Sequence, residues 1–307
     1  MINLNVSPKI EFVYTPIANY AIQQNRIPLV RKLIIENPFE TDILDLKIKI
    51  ESEPNFINSW EHRIEIIPSH NRVELDVKDL NLSASYLSEL TEKLSGEIIL
   101  YIYSREDLIF SKHYNVDLLA YDQWNGIGTL PEILASYVTP NNPEISNVLQ
   151  EASRILGGWT GNPSFDAYQT LSADRVKKQL GAIYEAIANL GIVYCSPPAS
   201  FENTGQRIRL CDTMFSQKLG TCIDMSILYA SCIEAIGLNP LLIVLNGHAF
   251  VGSWLIDDSF PDSVNDDISL LKKRTAKGIN ETLIFVSNSH SIYGRLIWPY
   301  TTFLQVM

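Results

Sequence analysis

From Lys9 to about Asn115 the apolar residues come in short runs, alternating with polar ones or unbroken, with turn residues between them. The runs are Lys9–Tyr14, Val30–Ile35, Leu44–Ile50, His62–Ile67, Val73–Val77 and Glu97–Tyr103. In the third, Leu44, Leu46, Ile48 and Ile50 alternate with Asp45, Lys47 and Lys49, the period of two expected of a strand with one buried face. Pro38, Pro54 and Pro68 with their polar neighbours supply turns. Tyr86–Leu94 is the exception, with helical spacing. About seven short strands separated by roughly 10–20 residues predict a β-sandwich of immunoglobulin-like size over residues 1–118.

The texture changes after Leu118. Trp124-Asn125-Gly126 and Pro140-Asn141-Asn142-Pro143 mark loops, and helix-length segments follow at Glu144–Leu156, Asp174–Leu190 and Cys222–Ile236. In the second segment Val176, Leu180, Ile183, Ala186, Ile187 and Leu190 share one helical face. Strands are expected at Pro240–Leu245, His248–Ile256 and Thr282–Val286. Helices followed by sequential strands predict an α+β domain over residues 119–307, with one helix packed on an antiparallel sheet. The fold class of the whole chain is therefore α+β.

Composition narrows the function. The 307 residues carry a formal charge of -11, and neither half is basic: residues 1–120 hold 12 basic and 18 acidic side chains, the remainder 12 and 17. A grip on nucleic acid through phosphate charge alone is excluded as the main task. Cys195, Cys211, Cys222 and Cys232 are separated by 16, 11 and 10 positions, without the close pairs that zinc requires. No metal or other cofactor is expected. The start, MINLNVSPKIEF, lacks the basic and apolar regions of a secretory signal, and no apolar run reaches membrane-spanning length. The expected setting is cytoplasmic, with reduced thiols.

The sharpest local signal is Lys218-Leu219-Gly220-Thr221-Cys222-Ile223-Asp224. Thr221 and Asp224 have the spacing of a capping box, and Gly237 is a natural stop, so Cys222 falls in the first turn of a helix. There the free amides and the helix dipole favour a thiolate, as a nucleophile requires. Cys232, mid-helix among Ile and Ala, reads as a small buried hydrophobe. Of five histidines, His248 opens an apolar strand 26 residues after Cys222, where it can face a helix-start cysteine and act as its base. The plainer alternative is a buried thiol and a hydrogen-bonded strand-end histidine.

The order Gly220-Thr221-Cys222 at a helix start, a helix end at Gly237-Leu238-Asn239-Pro240, an apolar strand and then Gly247-His248-Ala249-Phe250 resembles the transglutaminase-like domain of the papain-type cysteine superfamily. Six further stretches resemble the amino-terminal region of large bacterial helicase-related proteins. They are Trp124-Asn125-Gly126, Leu130-Pro131-Glu132, Val138-Thr139-Pro140-Asn141, Pro197-Pro198-Ala199-Ser200-Phe201, Gly205-Gln206-Arg207-Ile208-Arg209 and Phe250-Val251-Gly252-Ser253-Trp254-Leu255. In those proteins a β-domain precedes a transglutaminase-like domain, ahead of ATPase and nuclease parts. The likeness covers nearly the whole chain and is densest from 124 to 256.

What the resemblance implies is cysteine-dependent acyl transfer or amide hydrolysis of a protein or peptide substrate, with Cys222 as nucleophile and His248 as base. It implies a helicase or nuclease partner in a bacterial DNA-processing or anti-phage system. The family's acidic third residue, in a pattern like Phe-Glu-Thr-Thr, is replaced here: the matching run is Phe285-Val286-Ser287-Asn288. Asn288 shares the strand face of Val286 and takes the orienting role, with Asp257 a weaker candidate. Gln217 and Gln206 are the rival side-chain donors for an oxyanion hole completed by the Cys222 amide. The competing function is an impaired module of the same fold that recruits a protein partner, motivated by Val286. Gly157, Gly158 and Gly161 do not make a nucleotide loop without a following Gly-Lys-Ser/Thr. Arg207 and Arg209 suit structural use, and Lys272-Lys273-Arg274 with Lys277 suits a charged surface.

Overall fold

The computed structural model describes residues 7–267 and 269–270, with the backbone of Leu283–Val286 and Thr301–Gln305. It is a mixed α+β structure of two compact units, Met1–Asp122 and Gln123–Met307.

The first unit is β-rich. In chain order it holds β1 (Lys9–Tyr14), β2 (Ile17–Ala18), α1 (Tyr20–Gln24), β3 (Val30–Glu36), β4 (Ile43–Glu53), β5 (Trp60–Ile67), β6 (Arg72–Leu75), α2 (Ala84–Glu89), β7 (Leu94–Ser104) and β8 (Asp107–Leu118). One sheet has the order β1-β3-β6 and the other β2-β8-β7-β4-β5. All pairings are antiparallel except β2 with β8. Leu33, Ile35, Leu46, Ile48, Ile50, Leu100 and Ile102 are fully buried, which is the apolar set the alternation selects.

Two details depart from the sequence pattern. Asp45 takes a positive φ of 50° and drops out of the pairing, since Leu44 faces Ile66 and Leu46 faces Ile64. The left-handed kink at Asp45 leaves Leu44 outward and Ile43 inward without shifting the register, so the alternation across Leu44–Ile50 breaks at its first member. The second is β8, which no apolar run announced. Ser111, Lys112 and His113 are exposed, and its order comes from a long ladder with β7 rather than from burying one face. Tyr86–Leu94 splits into the short helix α2, capped by Ser83, and the start of β7.

The second unit begins with β9 (Gln123–Trp124), a 3₁₀ helix (Pro131–Tyr137), α3 (Pro143–Thr160), α4 (Ala173–Ala188), β10 (Val193–Tyr194), α5 (Phe201–Thr204), β11 (Gln206–Arg207), α6 (Cys211–Gln217), β12 (Leu219–Gly220) and α7 (Cys222–Ala235). Then come β13 (Pro240–Leu245), β14 (His248–Trp254), β15 (Val264–Asn265), β16 (Leu283–Val286) and β17 (Thr301–Gln305). The last five form an antiparallel sheet of order β15-β17-β13-β14-β16. Helix α7 lies against β13 and β14 with α3 and α4 also against it, so nearly its whole circumference is buried. Gly157 and Gly158 belong to α3 and Gly161 ends it, which leaves no phosphate loop there.

The loop between α3 and α4 is held by α4. The buried Gln179 accepts the N–H groups of Asp166 and Ala167 and donates to the Ala167 carbonyl, and Arg175 pairs with Asp166. Tyr168 in this loop donates to the Trp254 carbonyl and accepts from the Asn239 amide. Burial pushes its hydroxyl up to about 12. These contacts fix the far end of β14, and hence the strand that begins with His248. No helix among the described residues is long and apolar enough to cross a membrane.

Candidate functional site

The N-terminus of α7 is tied down by four side chains. Thr221 accepts the Asp224 amide (3.4 Å) while Asp224 Oδ2 accepts the Thr221 amide (2.9 Å), the reciprocal box its sequence predicts. The Asp224 carboxylate is fully buried, accepts the Arg209 amide through Oδ1 (2.9 Å) and pairs with the Arg209 guanidinium (3.2 Å). Gln206 Nε2 donates to Thr221 Oγ1 (3.0 Å) from β11, which is itself paired with β9 opposite Trp124. The cap is therefore braced from neighbouring segments through Arg209 and Gln206, which fixes the backbone of Cys222.

The Cys222 side chain is 1% exposed. Its sulfur receives hydrogen bonds from the backbone amides of Ala249 and Ile223 and from the Tyr194 hydroxyl. Burial nevertheless pushes the thiol above its ordinary value; the three hydrogen bonds pull it down, and the neighbouring Asp224 charge adds to the rise. Burial thus opposes the thiolate that the helix start favours. The amides act in the expected direction, but removing a charged sulfur from water outweighs them.

His248 opens β14 and is half-buried, with its ring near that of Phe250 on the same face (centroids 6.1 Å apart). Burial draws the imidazole below its ordinary value. The turn before it, Asn246-Gly247, joins paired Leu245 and His248, and Gly247 takes a positive φ of 71°, a conformation open to glycine without strain. Because Ala249 donates to the Cys222 sulfur, the first turn of α7 and the first residues of β14 share one corner of the unit.

The other expected residues fall unequally. Gln206 is buried beside the cap, and its Oε1 has no partner among the described residues. Gln217 is exposed at the end of α6. Asp257 lies past the opposite end of β14 from His248, where it accepts from Asn239 Nδ2 (3.3 Å), so it does not orient the imidazole. The Val286 backbone pairs with Val251, while Asn288, His290 and the Lys272–Lys277 cluster lie outside the described residues. Arg209 has the structural use expected of it. All four cysteines are free, and burial raises Cys232 far above the ordinary thiol range.

Two residues at this corner went unmarked in the sequence. Tyr194 sits on β10, which runs parallel to β12 just before the cysteine helix. Glu202 on α5 is buried and accepts the Gly247 amide through Oε2 (3.2 Å). Among the described residues no group of three His, Cys, Asp or Glu side chains could hold a metal ion. Two concavities of about 520 and 440 Å³ lie in the first unit, beside Arg26 and Lys78 and beside Arg31 and Glu74, without convergent nucleophiles or bases. No family model matches the chain, and no curated protein matches it.

Proposed function

We propose that the second unit is a transglutaminase-like cysteine domain that performs acyl transfer or amide hydrolysis on a protein or peptide, and that the first is an immunoglobulin-like β-sandwich. The supporting observation is the Cys222 sulfur at the first turn of α7, hydrogen-bonded to the residue that follows His248. Burial favours the neutral thiol and the neutral imidazole, so the proton moves only when substrate is in place. The sulfur adds to the amide carbonyl carbon as its proton passes to His248. The C–N bond then breaks as His248 returns that proton to the leaving amine, and a thioester remains on Cys222. Water or a second amine attacks the thioester, His248 takes its proton, and the sulfur is released and reprotonated. The cellular setting we propose is cytoplasmic, beside a helicase or nuclease partner.

The test is alkylation by iodoacetamide at neutral pH, followed residue by residue by mass spectrometry. Cys222 is expected to react faster than Cys211 and Cys232, and His248→Ala to slow it about tenfold or more. Labelling of Cys222 no faster than a free thiol, unchanged in His248→Ala, rejects the reading.

A second reading is favoured by the near-complete burial of Cys222 and by Val286 at the acidic position: the domain recruits a protein partner without chemistry. Under it, Cys222→Ala keeps both biological activity and partner binding; loss of activity with binding intact excludes it.

A further inference from the structure

We propose that the Tyr194 hydroxyl is the side-chain donor that stabilises the oxyanion formed when Cys222 attacks a carbonyl; this rests on the cysteine–histidine reading above and adds a catalytic residue to it. Strand β10 runs parallel to β12 with Tyr194 opposite Gly220, two residues before Cys222, and the Cys195 amide donates to the Gly220 carbonyl (2.9 Å). From there the side chain is aimed at α7. A Cβ on Gly220 would stand 3.3 Å from Met225 Sδ and 3.4 Å from Ile192 Cγ2. Ile192 lies two positions before Tyr194, the spacing of one strand face, and Met225 lies three after Cys222, the spacing of one helix face. The two faces meet, and the Tyr194 hydroxyl is hydrogen-bonded to the Cys222 sulfur.

Of the three donors on the sulfur, the Ala249 and Ile223 amides belong to buried residues, whereas Tyr194 is 53% exposed. Val193 and Leu219, which face each other across the β10–β12 pair, are exposed as well. A carbonyl that arrives along this margin meets the phenol as it meets the sulfur. When the sulfur electron pair forms the S–C bond, the π pair of the C=O bond moves onto oxygen, which then lies two bonds from the sulfur. A donor already bonded to the sulfur reaches that oxygen by a small rotation, and it is worth most there, where the charge develops. The phenol donates without losing its proton, because burial first, and then the neighbouring thiol, hold it above its ordinary value. As the leaving group departs, the pair returns to the C=O bond and the hydroxyl returns to the sulfur.

The glutamines that compete for this role are placed differently. Gln206 Nε2 is spent on Thr221 Oγ1. Gly205 lets β11 lie so close to β9 that a Cβ there would run into the Trp124 carbonyl oxygen, which keeps that amide on the cap. Gln217 is exposed, and Lys218 turns the chain left-handed between it and β12.

The experiment treats the full chain, as wild type and Tyr194→Phe, with p-nitrophenyl acetate or with iodoacetamide at neutral pH, and follows the Cys222 adduct by mass spectrometry. The ester is attacked at a carbonyl and develops an oxyanion before p-nitrophenolate leaves. Iodoacetamide is attacked at a methylene carbon, loses iodide and develops none. Both probes share the thiol, so the ratio of acetylation to alkylation rate isolates the oxyanion. Tyr194→Phe, which keeps the ring, is expected to lower that ratio about 100-fold. A ratio that falls by no more than about threefold, whichever way the separate rates move, overturns the proposal, because the hydroxyl then acts on the thiol alone; a larger fall supports it. If wild-type Cys222 is acetylated no faster than Cys211 and Cys232, the cysteine–histidine reading fails and the proposal with it. A fast Cys222 with an unchanged ratio rejects the role of Tyr194 alone.

Discussion

The two units bury polar groups in opposite ways. In the first, the buried polar side chains ahead of the boundary residue Asp122 are Thr15, Asn19, Asn37 and Ser52, all neutral. They serve the backbone nearby: Asn19 caps α1, Ser52 accepts the Ile57 amide, and Asn37 donates to the Thr41 and Ile67 carbonyls while accepting the Phe39 amide. The second unit buries two carboxylates, Glu202 and Asp224, with Gln206 and Thr221 beside them, all around the start of α7 and the β13–β14 turn. Buried charge lowers stability unless it is fully bonded, and here it is gathered about one thiol. The first unit uses polar groups to finish its turns; the second uses them to hold one geometry.

The contrast is open to attack at several points. The largest effect is expected for Asp224→Ala, which strands the Arg209 charge and the Thr221 amide. It should cost about 3–5 kcal/mol and lower the urea midpoint of the second unit only. Ile48→Ala in the first unit should cost about 3 kcal/mol by leaving a cavity in an all-apolar core. If Asp224→Ala costs less than Ile48→Ala by a wide margin, the buried charge is not what holds the second unit's geometry. Thr221→Ala, which removes the cap but leaves Asp224 and Arg209 paired, should cost about 1 kcal/mol.

The smallest expected effect is a pH profile. His248 is held below its ordinary value by burial, so on acidification the unfolded chain binds a proton before the folded one does. Stability therefore falls as pH drops from the ordinary imidazole value toward the depressed one. Cys222 is held above its ordinary value by burial, so on the alkaline side the unfolded thiol ionises first. There stability falls as pH rises from the ordinary thiol value toward the raised one. Urea midpoints across this range should flatten at the acid end in His248→Gln and at the alkaline end in Cys222→Ser.

What the sequence reveals follows how local each device is. The Thr221–Asp224 box lies within four residues, and both halves are residue types that seldom serve another purpose at that spacing. The β13–β14 hairpin was legible for the same reason, since Asn246-Gly247 between apolar runs names its own turn. The kink at Asp45 was not, because a single left-handed residue in a strand leaves the alternation looking intact. Strand β8 was hidden because its neighbours, not its own apolar face, make it a strand. The direction of the Cys222 shift escaped because a helix start is visible in sequence while the burial that opposes it is not. Glu202 reaches Gly247 across 45 residues, and no pattern in Ser200-Phe201-Glu202-Asn203 marks it.

Gly205 offers a different handle on the same corner. Any side chain there would have to displace the Trp124–Asn125 backbone, and with it the segment that carries Glu202 and Gln206. To a geneticist this is where a conditional allele would be sought: a lesion that leaves every reactive atom in the chain yet, by displacing that backbone, is expected to copy the loss of Cys222 at higher temperature without touching it.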